Sequence, residues 1–183
     1  GLNGAIFALI ALDSAGRAVV FREVYAHDLI VSAAAEAIRE ASEGLEIYRT
    51  FAPPDLWARQ KDSGKSIATL FERSGVPLTP SDNNRVGGWL ALKEWMHVQP
   101  MPEGGEDARL HIFSTCTELI RCLPSLLSDP KRIGDCRTEP HEITHLPDAL
   151  RYFAVMQTEP PREKAAAPRL RDFTGGVRRK NRF

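Results

Sequence analysis

The chain has 183 residues with 24 basic and 24 acidic side chains, so its formal net charge is zero; that length suits one α/β core with a short appendage and is too short for two domains with separate cores. Apolar residues make up 43% and charged residues 26%, which excludes a disordered or fibrous chain. No apolar run is long enough to cross a bilayer, residues 5–12 lack the flanks of a signal peptide, and Cys116, Cys122 and Cys136 form no CxxC pair; neither a disulfide framework nor a cysteine zinc site is indicated, and an unanchored, unsecreted chain in a reducing cytoplasmic setting is expected.

The continuous apolar run 5–12 predicts a central strand covered on both faces. Asp13-Ser14-Ala15-Gly16 predicts a turn, and residues 17–25, with Val19 and Phe21 alternating against Arg22, its hairpin partner. The Ala-rich stretch 31–42 predicts a helix. A strand over 46–52 stops at Pro53-Pro54, because proline cannot donate to a ladder. A helix over 63–74, capped by Ser63 and closed by Gly75, leads to a short strand over 76–78 and a helix over 85–98 carrying Trp89, Leu92 and Trp95. There follow a loop over 101–107, a strand over 109–113 and a helix over 115–127 with Leu119, Ile120, Leu123 and Leu126 on its apolar face. A polar stretch over 129–141 precedes a last helix over 145–156, with Leu150, Phe153 and Ala154 facing inward. No internal repeat is present.

The zero net charge hides an asymmetry. From Pro161 onward stand Arg162, Lys164, Arg169, Arg171, Arg178, Arg179, Lys180 and Arg182 against only Glu163 and Asp172. Residues 1–158 are therefore expected to form the folded domain, and 159–183 a basic tail that either tracks phosphates by counterion release or is a solvated terminus without a partner.

Asp55 follows the 46–52 strand at its carboxyl end, where open α/β sheets place their ligands. A carboxylate restrained by two prolines suits a hard cation, and it equally suits a turn that only caps backbone amides. Asp148, expected in the first turn of the last helix, is either a metal ligand or an ordinary dipole partner. Ser63-Gly64-Lys65-Ser66 ends like a phosphate loop, but Arg59 stands where that motif needs its first glycine.

Phe51-Ala52-Pro53-Pro54-Asp55-Leu56-Trp57, Pro77-Leu78 with Asn83-Asn84-Arg85-Val86-Gly87-Gly88-Trp89, His111-Ile112-Phe113 with Cys116, and Pro147-Asp148-Ala149-Leu150-Arg151-Tyr152 follow one another in an order that resembles the C-terminal nuclease domain of phage large terminase subunits. The likeness covers nearly all of the chain except the tail. It implies a ribonuclease H-like α/β fold, a mixed sheet flanked by helices, whose carboxylates hold two Mg²⁺ or Mn²⁺ ions. Asp55 would be the central catalytic metal ligand and Asp148 the late helical one. It also implies cleavage of concatemeric double-stranded DNA during packaging in the host cytoplasm, with the portal and the small terminase subunit as further partners.

The family's first metal-binding aspartate lies in an Asp-aromatic-Gly triplet of the opening strand, and Gly1-Leu2-Asn3 resembles the residues just after it. Asp13 falls in the hairpin turn and is no substitute. Asp135 and His145 are candidates for an extra ligand or proton shuttle, alternatively a loop aspartate and a capping histidine. Arg85 and Lys93 are candidates for phosphate contact, alternatively the wet face of their helix. Two other functions stay open: a different ribonuclease H-like nuclease such as a resolvase, and a non-catalytic DNA-binding or motor-docking domain.

Overall fold

In the computed structural model, which describes residues 5–26, 29–60, 64–102 and 104–157, strands β1 (Ala5–Leu12) and β2 (Ala18–Ala26) pair antiparallel with a bulge between Leu9 and Ile10. Their turn is fastened by Asp13, whose carboxylate accepts from the Arg17 backbone N–H at 2.8 Å and from Arg17 Nε at 2.7 Å. Gly16 supplies the left-handed φ of 77° that closes it. The fully buried side chains of β2 are Ala18 and Val20, whereas Val19 and Phe21 are half-buried and Arg22, which the bulge turns to the opposite face from Val20, is exposed.

Helix α1 (Val31–Ala41) packs on β2. Residues 46–50, expected as the body of a strand, are mostly exposed, and only β3 (Phe51–Ala52) forms a ladder. A 3₁₀ turn over Pro54–Trp57 follows at once. Helix α2 runs Ile67–Arg73, four residues later than the expected start, because Gly64 sits at φ +65° and the capping oxygen is that of Ser66, which accepts from the Thr69 N–H; Ser63 lies outside the described residues. At its other end Gly75 N–H bonds to the Glu72 carbonyl and Val76 N–H to that of Phe71, a paired closure that ties Val76 onto Phe71. Val76 is thus spent on ending the helix, and the strand expected over 76–78 forms later as β4 (Thr79–Pro80), parallel to β3.

Helix α3 (Arg85–Met96) is capped by Asn84, which accepts from Gly87 N–H, and it buries Trp89, Leu92 and Trp95 as expected. Across the expected loop, β5 (Gln99–Pro100), just before it, and β6 (Glu106–Asp107), at its end, make a small hairpin. Strand β7 (Leu110–Ile112) pairs parallel with β2, giving the order β1-β2-β7. Helix α4 (Thr117–Cys122) gives way to a 3₁₀ turn at Pro124. Two of its first-turn amides, those of Glu118 and Leu119, donate to the Glu23 carboxylate of β2, which meets the unpaired N–H groups of a helix start with negative charge.

The last helix, α5 (His141–Met156), begins a turn earlier than expected and carries Pro147 in its interior. An interior proline removes one backbone bond; here Thr144, Leu146, Pro147, Leu150 and Phe153 are all buried, and that packing holds the helix together across the gap. Asp148 is therefore in mid-helix, not in the first turn. The main core joins Ala18 and Val20 to Trp89, Leu92, Trp95, Leu119, Leu146, Leu150 and Phe153, and a second cluster gathers Ala34, Ala35, Phe71 and Val76. The architecture is mixed α/β, with small mixed sheets and, among the described residues, five α-helices. No described helix is long and apolar enough to cross a membrane.

Candidate active site

Helix α5 packs across both β1 and β3 as well as along α3. It is therefore the element on which residues far apart in the chain meet. Asp55 lies in the 3₁₀ turn that follows β3, exposed, and its side chain has no hydrogen bond or ion pair among the described residues. Tyr152 of α5 is the group that senses it. Burial, joined by the charges of Asp148 and Asp55, raises the Tyr152 phenol against the opposing pull of Arg151. Both candidate carboxylates thus act on one phenol.

Asp148 has quite different surroundings. Its Oδ1 accepts from Arg151 Nε at 2.8 Å and from Arg85 Nη1 at 3.1 Å, while Oδ2 takes only a longer contact of 3.3 Å from Arg85 Nη1. Arg85 is bound on its other side too: Nε donates to both oxygens of Asp135 at 3.0 and 3.1 Å, and Nη2 donates to the Cys136 carbonyl at 3.1 Å. Asp135 in turn accepts from the Trp89 indole N–H at 2.9 Å and from Cys136 N–H at 2.8 Å. The circuit closes through Arg151, whose guanidinium stands 5.6 Å from the Trp89 ring and 4.2 Å from that of Tyr152.

Helix spacing explains how the ring assembles. Arg85 and Trp89 are one turn apart on α3, and Asp148 and Arg151 one turn apart on α5, so two facing helices each contribute a pair. Asp135 enters from the loop before α5. Gly88 makes room, since a Cβ there would come within 2.6 Å of Arg151 Cγ. The two guanidinium and two carboxylate charges cancel, which is how a low-dielectric site tolerates them. Burial alone would raise the Asp135 carboxyl, but Arg85, the Cys136 amide and Trp89 together hold it below its ordinary value. Burial likewise works against Arg85, and its bonds and charge pairing with Asp135 and Asp148 outweigh it and keep it cationic. Arg151 is fully buried and both its terminal nitrogens have no hydrogen-bond partner among the described residues; the two aromatic faces provide its remaining compensation.

Of the other candidates, Lys93 is exposed on α3, and its charge reaches Cys136 beside the ring. Asp13 is occupied by the hairpin turn. His145 lies inside α5, stacked on His141 with centroids 5.3 Å apart, and burial, with the His141 charge, lowers it toward the neutral form. His141-Glu142-Ile143-Thr144-His145 also spells the His-Glu-x-x-His string in which histidines one turn apart hold zinc. Here His141 Nε2 is turned to Glu139 at 2.9 Å, and no group of three His, Cys, Asp or Glu close enough to hold a metal exists among the described residues. The basic tail lies outside the described residues.

Arg85, Asp135 and Asp148 were separate candidates in the sequence, and Arg151 stood only within the Pro147–Tyr152 string; their closure into one ring has no sequence signature beyond the Asp148–Arg151 spacing. Asp55 and Asp148 are the right donors for a hard cation, being carboxylate oxygens, and Oδ2 of Asp148 is the oxygen least committed to the protein. No family model, curated protein or solved structure matches the chain.

Proposed function

We propose that this chain is a metal-dependent DNA endonuclease domain of ribonuclease H-like type, as in a viral packaging terminase large subunit. The observation that carries the reading is that α5, which bears Asp148, packs on β3, the parallel strand at whose carboxyl end Asp55 stands. Carboxyl ends of parallel strands are where α/β sheets bind ligands. Asp55 and Asp148 would hold Mg²⁺ or Mn²⁺, which when bound activates water and stabilises the leaving oxygen of a phosphodiester. The third carboxylate that this reading requires is the one that the resemblance assigns to the opening strand.

The chain's own residues divide the work. Arg85 is committed to Asp135, Asp148 and Cys136, so phosphate contact falls to Lys93 and to the basic residues after Pro161. Among the described residues no groove-reading element is evident, and this reading has double-stranded DNA bound with little base preference. Host cytoplasm, portal and small subunit belong to this reading.

The test is nicking of supercoiled plasmid across a Mn²⁺ titration, comparing this chain with one extended upstream to include an Asp-aromatic pair. The lengthened chain is expected to nick at low Mn²⁺ and this chain only slowly or at high Mn²⁺. Failure of both would favour the second reading, a non-catalytic DNA-binding or motor-docking domain. What favours that alternative is the engagement of Asp148 by two arginines.

A further inference from the structure

Asp148 is held asymmetrically. Two guanidinium groups converge on Oδ1, at 2.8 and 3.1 Å, and Oδ2 has a single contact at 3.3 Å. Neither arginine is free to drift. Arg151 is fully buried between Trp89 and Tyr152 beneath Gly88, and Arg85 is pinned from behind by Asp135, itself buried and tied to Trp89 and Cys136.

From this geometry we infer that Arg85 and Asp135 are positioning residues for the Asp148 carboxylate. They fix Oδ1 against the protein and turn Oδ2 outward as the oxygen offered to a divalent cation, an inference that rests on the nuclease reading above. Asp135 does not serve as a ligand in this arrangement. Its two oxygens are consumed by Arg85, Trp89 and Cys136, so it acts on the site only through Arg85. Nor does Arg85 bind DNA. Its planar fork is what allows one side chain to hold Asp135 through Nε and Asp148 through Nη1 at once, a geometry that the single ammonium of lysine cannot copy at equal charge.

The separation of charge from geometry supplies the test. Arg85→Lys keeps the positive charge and loses the fork; Asp135→Asn keeps the oxygen that accepts from Trp89 and removes the charge and the second oxygen that hold Arg85. The probe is terbium chloride, a hard trivalent stand-in whose emission is sensitised by nearby Tyr152 and Trp89, titrated into the whole chain alongside thermal unfolding of each variant. Wild type is expected to give saturable emission that Asp55→Asn and Asp148→Asn abolish. Arg85→Lys and Asp135→Asn should each weaken binding about 10-fold while still unfolding cooperatively, the lower end of what loss of a supporting partner does to metal affinity. If both variants bind as tightly as wild type or tighter, while Asp148→Asn abolishes binding, the positioning role is overturned and the nuclease reading stands. If wild type gives no saturable emission, or Asp55→Asn and Asp148→Asn leave it unchanged, the positioning role is overturned, and nicking by the extended chain decides the nuclease reading separately. Failure of both variants to fold would also overturn the positioning role, because a ring that serves only packing predicts that result.

Discussion

Asp55 and Asp148 are the same residue type with the same assigned role, and their surroundings are opposite. Asp148 sits in a ring of buried charge between two packed helices, with every neighbour held by another. Asp55 stands exposed after a two-residue strand, with no side-chain partner among the described residues. One carboxylate is oriented by side chains, the other by the backbone that carries it. Stability should therefore depend steeply on the first region and hardly at all on the second, even though function would need both.

The sharpest break in that contrast should come from Arg85→Ala. It leaves Asp135 buried with two N–H donors and only the exposed Arg132, 3.9 Å away, for opposite charge, and Asp148 with half its support; removing one partner of a buried pair costs about 3–5 kcal/mol. Urea unfolding at neutral pH should show a loss of that size, and a loss under about 1 kcal/mol would mean that the ring is solvated and weak. Gly88→Ala should come next, at roughly 1–3 kcal/mol, because the new Cβ collides with a buried side chain that cannot move aside.

Acid should distinguish the two regions as well. Asp135 is held below its ordinary value of 3.8. A depressed carboxylate contributes stability that is present above the unfolded value and lost as pH falls through the folded one. Stability should thus decline below about pH 4, and Asp135→Asn should flatten the decline relative to wild type; parallel curves would show that Asp135 titrates alike in both states. The smallest effect is expected on the other side of the site, where Asp55→Asn should change unfolding free energy by no more than about 0.5 kcal/mol.

The same contrast explains what was legible in the sequence. Hairpin, Ala-rich helix and tryptophan helix follow from local pattern, and they form where expected. Elements whose limits depend on tertiary contacts shift: α5 gains a turn because Thr144, Leu146 and Pro147 are buried, which no first-turn reading of Pro147 conveys. The strand expected over 46–52 shrinks to its last two residues because only those find a partner, in β4. Asp55 was visible because proline and a strand end are local signals. The ring was not, since Asp135 and Arg151 gain meaning only when α3 and α5 face each other; a loop aspartate and a helical arginine are otherwise ordinary surface residues.

The most direct test of the central claim joins both regions in one experiment. In the chain extended upstream to include an Asp-aromatic pair, Asp55→Asn should abolish Mn²⁺-dependent nicking of supercoiled plasmid while leaving the unfolding curve unchanged, because Asp55 would be a ligand that carries no packing. A folded Asp55→Asn variant that nicks as fast as its parent would contradict the account and leave Asp55 as the residue of a proline turn and nothing more.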